Sequence, residues 1–381
     1  MGILRTNTLS GIGTDGPVFD GVTRLDTFGY VVPPVGVTSD RTLVGVTTAQ
    51  GAIRFNTDSQ KLEFYAQDQW WEMVIDTPAL AVSSDTGAGA RGVFGGGYTA
   101  PGGNTNVIQY ITISSTGNSL DFGDLTVPRR GVAGCSSNTR GIFGGGTGGT
   151  PDTIKNTLDY ITISSTGNSI TFGSLSVARR NPGSCSNTTR GIWAGGNNPG
   201  YLNTIDYVTI SATGDAVDFG DLTSARSGLY GLSSQTRGVF GGGFGNPANT
   251  NIIDYVTIVS LGNATDFGDL TIAASERSAC SNATRGLYAS YYTVPSGYGN
   301  TIDYITISTL GNAVKFGELS ASRYNPGGCA SSTRGVFASG AGLTNTIDYV
   351  TILTQGNAVD FGDTLAVNEQ LTGFSNAHGG L

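Results

Sequence analysis

Residue types that most often perform catalysis are scarce in this chain of 381 residues. Its single histidine, His378, lies close to the C-terminus, so the sequence predicts no Ser/His or Cys/His pair and no multi-histidine metal site. The glycine-rich strings are not followed by a lysine and a helix, which argues against a phosphate-binding loop. We therefore expect no catalytic residue, no metal and no cofactor, and predict that the protein is not an enzyme.

Closely spaced carboxylates recur along the chain, as Asp121 with Asp124 and again as Asp218 with Asp221. An active site is expected to occur once, so we interpret these pairs as groups that stabilise turns and neighbouring strands. The same interpretation applies to the aspartates of a repeated "DY" stretch and the arginines of a repeated "RG" stretch. For these two sets the sequence predicts buried Arg–Asp pairs between repeats.

Four cysteines occupy the same position in four different repeats, and no CxxC pair is present. Repeats that are separate in space keep such residues beyond the roughly 7 Å that a disulfide can bridge. We expect free, buried thiols that pack as small apolar side chains. They are Cys135, Cys185, Cys280 and Cys329.

Composition and charge restrict the kinds of partner that the protein is expected to bind. The net charge is −8 and lysine and arginine are not clustered, so binding to nucleic acid is not expected. No apolar run is long enough to cross a membrane, and the start "MGILRTNTLSG" lacks an apolar segment of signal-peptide length. We expect a soluble protein that is not conventionally secreted and does not insert into membranes.

Six internal repeats organise most of the chain. An "RG" followed by apolar and small residues recurs every 47 to 50 residues, and in all six repeats a tyrosine precedes a phenylalanine by 12 positions. The short runs "RGVF", "YVTI" and "NAVDFGDL" read as strands, and turn sequences such as "STGN" separate them. Four strands in a period near 50 predict an all-β fold, a six-bladed β-propeller. The arginines are Arg91, Arg140, Arg190, Arg237, Arg285 and Arg334.

The C-terminal "LTGFSN" is in frame with the first strand of each repeat but has no repeat after it. The first repeat in turn lacks a convincing first strand before Arg91. We therefore predict that residues near Leu371 to Asn376 pair with the strand at Arg91 and close the propeller without a long open edge.

The repeat "ARRNPGSCSNTTRGIWAGG", followed by "IDYVTI" and "DFGDL", resembles the kelch repeat. That family has a glycine doublet after the second strand, a spaced tyrosine and a later aromatic residue. The resemblance covers roughly Ala79 to the C-terminus and implies a kelch-like β-propeller.

The first 78 residues differ in kind and predict a small β-rich module. "GAIRFNTDSQKLEFYAQDQWWEMV" reads as a three-strand meander with turns at "TDSQ" and "QDQ". The order "RFNT", "KLEFY" and a tryptophan resembles a module of bacteriophage tail fibres, and "GILRTNTLSGIGT" resembles the start of structural proteins from phages of cyanobacteria. The predicted organisation is an attachment or oligomerisation module over 1–78, a linker over 79–90 and a propeller over 91–381.

The resemblance implies a virion structural protein, a tail fibre or related appendage, made in the host cytoplasm and displayed outside the cell. The N-terminal module is expected to attach to other virion proteins, and the propeller is expected to bind a host surface receptor, with a glycan as the expected receptor. Appendages of this kind are commonly trimers, so a homo-oligomer is expected. Two alternatives remain open: a propeller enzyme that degrades host polysaccharide, and a purely structural collar or capsid decoration protein.

The receptor site is predicted where the repeats differ. All length variation lies between the second and third strands of each repeat, and this loop is expected to share a face with the connections between repeats. Aromatic side chains suit stacking on sugars, and arginines suit acidic or hydroxyl-rich glycans. The candidate receptor-binding residues are Tyr98, Tyr201, Phe244, Tyr291, Tyr292, Tyr298, Arg129, Arg179, Arg226 and Arg323.

Overall fold

The computed structural model divides the chain into two compact units, Met1–Asp76 and Thr77–Leu381. Nearly all regular structure in it is β-strand, as the sequence predicts. Within the described ranges, no helix is long and apolar enough to span a bilayer. The residues that the structure describes are 35–42, 51–58, 61–72, 90–99, 101–342 and 344–381. The predicted linker lies outside them except for Ala90, as does the motif near the start of the chain.

The first unit contains a four-stranded sheet. Its last three strands are antiparallel and form the predicted meander, and its first strand pairs in parallel with the second. A short 3-10 helix, Thr38–Thr42, follows the first strand. The strands are Val35–Gly36, Ile53–Asn56, Lys61–Ala66 and Gln69–Glu72.

A buried carboxylate takes the place of an apolar centre in this small sheet. Glu63 is fully buried, forms ion pairs with Arg41 and Arg54, and accepts a hydrogen bond of 2.7 Å from Asn56 Nδ2. The hydrogen bond from Arg41 lowers the pKa of Glu63, although burial opposes that shift. The Arg54 guanidinium also lies 5.4 Å from the centre of the Trp70 ring. Paired charges therefore hold together a sheet that has little apolar surface to bury.

The described residues of the second unit form six four-stranded antiparallel sheets, here called repeat sheets 1 to 6. In hydrogen-bonding order, sheet 1 is Thr372–Ser375, Arg91–Gly95, Val107–Thr112 and Leu120–Asp124. Sheet 2 is Ala133–Ser136, Arg140–Gly144, Thr157–Thr162 and Ile170–Ser174. Sheet 3 is Gly183–Ser186, Arg190–Ala194, Thr204–Thr209 and Val217–Asp221.

The remaining repeat sheets follow the same order. Sheet 4 is Tyr230–Ser233, Arg237–Gly241, Ile252–Thr257 and Thr265–Asp269. Sheet 5 is Ser278–Ser281, Arg285–Thr293, Gly297–Thr306 and Val314–Glu318. Sheet 6 is Gly327–Ala330, Arg334–Ala338, Thr346–Thr351 and Val359–Asp363.

Short strand pairs lie in the loops that connect these strands. Tyr98–Thr99 pairs with Gly103–Asn104, and Asn197–Asn198 pairs with Gly200–Tyr201. Arg129–Arg130, Thr147–Gly148 and Thr153–Ile154 form a three-stranded ribbon.

The C-terminal strand supplies the first strand of sheet 1. Thr372 pairs with Gly95 and Ser375 with Gly92, in the antiparallel register that the position of "LTGFSN" predicts. Phe374 in this strand is 4% exposed. Sheet 1 is therefore assembled from two distant parts of the chain.

Neighbouring repeat sheets pack through one recurring contact. The Sγ atom of Cys135 in sheet 2 lies against Gly191 in sheet 3, where an added Cβ would come within 2.6 Å of the sulfur. Cys329 in sheet 6 lies in the same way against Gly92 in sheet 1. The glycine of each "RG" motif is therefore needed because a neighbouring side chain occupies the space of its Cβ.

A second recurring contact joins the turn after the third strand to the fourth strand of a neighbouring sheet. Asn168 Oδ1 in sheet 2 accepts a hydrogen bond of 3.0 Å from the backbone N–H of Asp124 in sheet 1. Asn118 Oδ1 in sheet 1 accepts the equivalent bond from Asp363 in sheet 6. The turns at the "STGN" position thus have a structural role, because in all six an Asn or Asp side chain accepts this bond from a backbone N–H.

The core of the second unit lies between the sheets. The first strands contact one another in the order of sheets 1 to 6, and the first strands of sheets 6 and 1 are also in contact. Six apolar clusters each combine residues from two adjacent sheets, as where Phe94 and Ile111 pack with Val336 and Ile347. This arrangement is a propeller-like all-β fold.

Candidate functional site

Two sets of loops lie together on what we call the loop face: the loops between second and third strands, and the connections between sheets. Backbone bridges join the two kinds of loop at all six sheets. Tyr98, for example, exchanges backbone hydrogen bonds of 2.8 and 3.0 Å with Glu369, and Ser275 bridges to Tyr292. The predicted grouping of variable loops and connections on one face is thus observed.

Buried ion pairs anchor these loops. Arg179, from the connection before sheet 3, places Nη2 2.8 Å from Oδ2 of Asp206 on the third strand, and both side chains are fully buried. Its Nη1 also donates to the carbonyl of Thr204 at 2.8 Å. Burial lowers the pKa of Arg179, and the charge of Asp206 opposes that shift. The equivalent pairs are Arg129–Asp159, Arg226–Asp254, Arg277–Asp303 and Arg323–Asp348.

The prediction that four of these arginines contact a receptor is wrong. They are at most 1% exposed, because each guanidinium points inward to an aspartate and to carbonyl groups of the loop above it. They position the loop face without being part of its surface. The four are Arg129, Arg179, Arg226 and Arg323.

The "RG" arginines do not pair with the aspartates of the "DY" stretch, which corrects a second prediction. Arg140 lies over the ring of Tyr160, 4.3 Å from its centre, and its Nη1 donates to the carbonyl of Ile210 in sheet 3 at 2.9 Å. All six "RG" arginines repeat these two contacts. The aspartates instead take their partners from the connections.

Sheet 1 replaces the ion pair with neutral side chains. Gln109 stands where the other sheets have aspartate, and Asn368 stands where most of them have arginine. Gln109 Oε1 accepts from Ser119 Oγ at 2.6 Å, and Asn368 Nδ2 donates to the carbonyl of Gly96 at 2.9 Å. Both members of the pair change together within one chain, as expected when an unpaired buried charge is costly.

The predicted aromatic residues fall into separate groups on the loop face. Tyr201 and Phe244 have ring centres 5.7 Å apart, and Tyr98 lies 5.6 Å from the guanidinium of Arg130. Tyr291 lies 5.5 Å from the buried guanidinium of Arg277. These aromatic side chains are half-buried, so each presents part of its ring.

The largest aromatic group is centred on a residue that sequence reasoning missed. Tyr324 lies 5.2 Å from Tyr292 and 5.7 Å from Tyr298, measured between ring centres. Tyr298 is 49% exposed. Tyr324 lies in a connection of constant length, whereas its two partners lie in a variable loop, so loop length alone could not identify it.

A chain of backbone hydrogen bonds, which we call the mouth, lies on the connections next to this aromatic group. Each member adopts a positive φ between 50° and 64°. Five consecutive bonds join the members, as in the bond of 2.8 Å from Glu276 N–H to the carbonyl of Gly228. The members are Gly131, Asn181, Gly228, Glu276, Asn325 and Gln370.

Ionisable side chains collect around the mouth. Burial raises the pKa of Glu276 to about 7, and repulsion from Glu369 adds to the shift, whereas Arg180 and the amide of Asn325 act in the opposite direction. Burial also raises the pKa of Glu369, and Arg130 opposes that change. At neutral pH the mouth therefore holds one carboxyl group that is partly protonated beside another carboxyl group.

Two tyrosines complete this polar cluster. The hydroxyl of Tyr230 donates to Oδ1 of Asn325 at 2.8 Å. Burial raises the pKa of Tyr230, and the charge of Glu276 adds to the effect. Burial likewise raises the pKa of Tyr324, with contributions from Glu369 and Glu276. The aromatic group and the carboxyl groups thus belong to one site.

The first strands enclose two small cavities. One of about 30 Å³ is lined by Tyr230, Thr372 and other residues of the first strands, and by Pro182 next to one of them. A second of about 50 Å³ is lined by His378 and residues from all six first strands. Volumes of this size accommodate water or a single small group, not a whole sugar ring.

The C-terminal tail, Ala377–Leu381, borders the second cavity. His378 Nε2 lies 3.0 Å from the carbonyl of Ser136, and Nδ1 accepts a hydrogen bond of 3.0 Å from the Gly380 N–H. Gly379 N–H donates to the carbonyl of Ser281 at 2.8 Å. This pattern requires a neutral imidazole with its proton on Nε2, and burial lowers the pKa of His378 to about 4.

The four cysteines are buried and free, as predicted. Burial raises the pKa of the Cys280 thiol to about 12, so it is an unreactive thiol at neutral pH. Among the residues that the structure describes, no group of three or more His, Cys, Asp or Glu side chains is arranged to hold a metal ion.

Comparison with models of known protein families finds no match to this chain. Comparison with curated protein sequences also finds no match. A functional assignment therefore depends on the chain's own residues.

Proposed function

We propose that the six repeat sheets are the blades of a closed, six-bladed, kelch-like β-propeller. The contacts between sheets 6 and 1 support this proposal because they are of the same kinds as those between the other sheets. Cys329 packs on Gly92, Asn118 binds Asp363, and Arg334 Nη1 donates to the carbonyl of Ile113 at 3.0 Å.

We further propose that the protein is a bacteriophage virion appendage protein whose propeller binds a host surface glycan through its loop face. The observation that carries this proposal is the difference between the "STGN" turns and the loops of the loop face. The "STGN" turns repeat one hydrogen bond at every sheet, whereas the loop face varies in length and presents groups of tyrosines. A scaffold needs uniform turns, whereas a recognition surface needs loops that differ.

The resemblance of the N-terminal sequence to tail-fibre modules supports the rest of the proposal. The small sheet of the first unit carries a tryptophan, Trp71, that is 44% exposed. A module with so little buried apolar surface gains stability from association. We propose that it attaches the protein to other virion proteins or to further copies of the chain.

Binding of the purified, labelled chain to cells of candidate host bacteria tests the receptor proposal. Replacing Tyr292 and Tyr298 with Ala should reduce binding about 5- to 150-fold, since stacking contributes about 0.5–1.5 kcal/mol per ring and therefore about 1–3 kcal/mol for two rings. The matched control replaces Ser115 and Thr166 in the uniform turns with Ala and should leave binding unchanged. Equal loss from both double variants, or no loss from the first, would place the receptor site elsewhere.

One observation favours a second candidate, a polysaccharide-degrading enzyme. Glu276 has a pKa raised to about 7 and lies near Glu369, and hydrolysis of a glycosidic bond uses one protonated carboxyl group and a second carboxyl group. Incubation of the chain with host surface polysaccharide separates the two functions. Release of new reducing ends that Glu276→Gln abolishes would show an enzyme, and binding without release would show a receptor-binding protein.

A further inference from the structure

The mouth contains a buried hydrogen-bond donor without a partner. Asn325 is 3% exposed, and its Oδ1 is occupied by the hydroxyl of Tyr230. Among the described residues, no acceptor lies within hydrogen-bond distance and angle of its Nδ2, and the Glu276 carboxyl is the nearby acceptor on which this amide acts. Buried polar groups in native proteins nearly always have partners, so a donor left open beside a carboxyl group indicates a place for a ligand.

The charges around the mouth restrict the ligand. The groups that act on Glu276 and Glu369 are Arg180, Arg130 and the tyrosines of the cluster, so two carboxyl groups face two guanidinium groups. The other nearby arginine, Arg277, is buried and paired with an aspartate. The described residues around the mouth therefore carry no excess of positive charge to attract an anion, which disfavours sulfated, phosphorylated or uronic acid ligands.

The side chains around the site suit a sugar ring, which has an apolar face and hydroxyl groups at its edge. Tyr324 and its two partner tyrosines provide aromatic surface beside the carboxyl groups. The neighbouring cavity of about 30 Å³ has room for a hydroxyl group or a water molecule. A sugar ring would therefore remain above the mouth, on the tyrosines, and only its hydroxyl edge would enter.

We propose that the mouth binds the terminal neutral hexose of a glycan, with its ring on Tyr324 and one hydroxyl group between Asn325 Nδ2 and the Glu276 carboxyl. A hydroxyl group fits this position because it accepts from the amide and donates to the carboxyl group at once. The inference rests on the proposed function and specifies the ligand class and the place of binding. Of the acidic or hydroxyl-rich glycans that the sequence predicted, it keeps the hydroxyl-rich ones, because the arginines that suited acidic glycans are buried.

Titration of the full chain with single sugars, followed by saturation-transfer NMR, tests the inference. The probes are glucose, galactose and mannose, with glucuronic acid and inorganic phosphate as anionic probes. We expect at least one neutral hexose to bind about tenfold or more tightly than either anion. Asn325→Asp keeps the acceptor for Tyr230 and removes the donor, and Glu276→Met removes the carboxyl group at similar length. Each should weaken hexose binding about tenfold.

Glu318→Met is the matched control, because Glu318 is paired with Lys315 on the fourth strand of sheet 5 and should not affect hexose binding. Melting temperatures of all three variants identify any loss that reflects unfolding. Equal or tighter binding of glucuronic acid, absence of hexose binding to the wild-type chain, or wild-type affinity in folded Asn325→Asp and Glu276→Met would overturn the inference. If host-cell binding still depends on Tyr292 and Tyr298 in that case, the proposed function stands and only the mouth is excluded. If the wild-type chain binds neither cells nor hexoses, both proposals fail.

Discussion

Removal of the C-terminal strand, Thr372–Ser375, should unfold all six repeat sheets and not only sheet 1. A chain that ends before Leu371 lacks the first strand of sheet 1 and the tail that follows it. The second strand of that sheet would then expose Gly92 to Gly95, and sheet 2 would lose the side chain that covers Gly141. Both losses occur in the interior of the fold, where neighbouring sheets depend on each other.

The magnitude follows from two buried side chains. Leu371 is 1% exposed and Phe374 is 4% exposed, and the Phe374 ring lies 4.9 Å from that of Phe143. Truncating a buried leucine costs about 2–5 kcal/mol and truncating a buried phenylalanine about 3–5 kcal/mol. Their sum of at least about 5 kcal/mol is comparable to the whole free energy of unfolding of a typical domain, about 5–15 kcal/mol. Loss of the backbone pairing between Thr372–Ser375 and Gly92 to Gly95 adds to this loss of stability.

Thermal unfolding followed by circular dichroism measures the effect. The matched control ends after Asn376, so it keeps the strand and loses only the tail. We expect the longer truncation to lack a cooperative transition at the temperature where the control still unfolds in one. A longer truncation that melts at the wild-type temperature would show that the C-terminal strand does not support the other sheets.

Two further predictions concern single side chains. The fold lowers the pKa of His378 to about 4 from an ordinary value near 6.5, so its neutral form contributes stability that is present above pH 6.5 and lost as the pH falls toward 4. The free energy of unfolding of wild type relative to His378→Gln should fall by up to about 1.4 kcal/mol per pH unit in that window, and a constant difference would contradict this. Asp206→Asn leaves the charge of Arg179 buried without its partner and should cost about 3–5 kcal/mol in denaturant titrations, whereas the exposed control Asp121→Asn should cost less than about 0.5 kcal/mol. Similar losses from the two Asn variants would show that the buried pair has no special role.

Repetition explains why much of the fold could be predicted from the sequence. Because the same spacing recurs six times, each strand is predicted from six copies, and an atypical residue in one copy does not change the prediction. The in-frame position of Phe374 was sufficient to predict the pairing of the C-terminal strand with Gly92 to Gly95. The free, buried state of the cysteines followed from their shared position in different repeats.

The candidate site was harder to predict because its residues break the repeat. Arg277 reaches Asp303 from a position three residues later than the equivalent arginines, so the alignment of repeats did not detect it. Glu276 and Asn325 differ in type but share a backbone conformation with positive φ, which residue identity does not reveal outside glycine. The burial of Arg179 could not be predicted either, because an arginine in a loop is expected to be exposed unless its aspartate partner is known.

The construction of sheet 1 from two parts of the chain has a consequence for biosynthesis. Asn376 Oδ1 accepts a hydrogen bond from the backbone N–H of Arg91, and these residues are 285 positions apart. A ribosome therefore releases the second strand of this sheet long before the first strand has been translated. During that interval the nascent chain carries an unpaired strand edge, which is a site for aggregation or for recognition by a chaperone. Sheet 1 cannot be completed before Thr372–Ser375 has been translated, so a stop codon just before Leu371 would be as harmful as one in an earlier repeat.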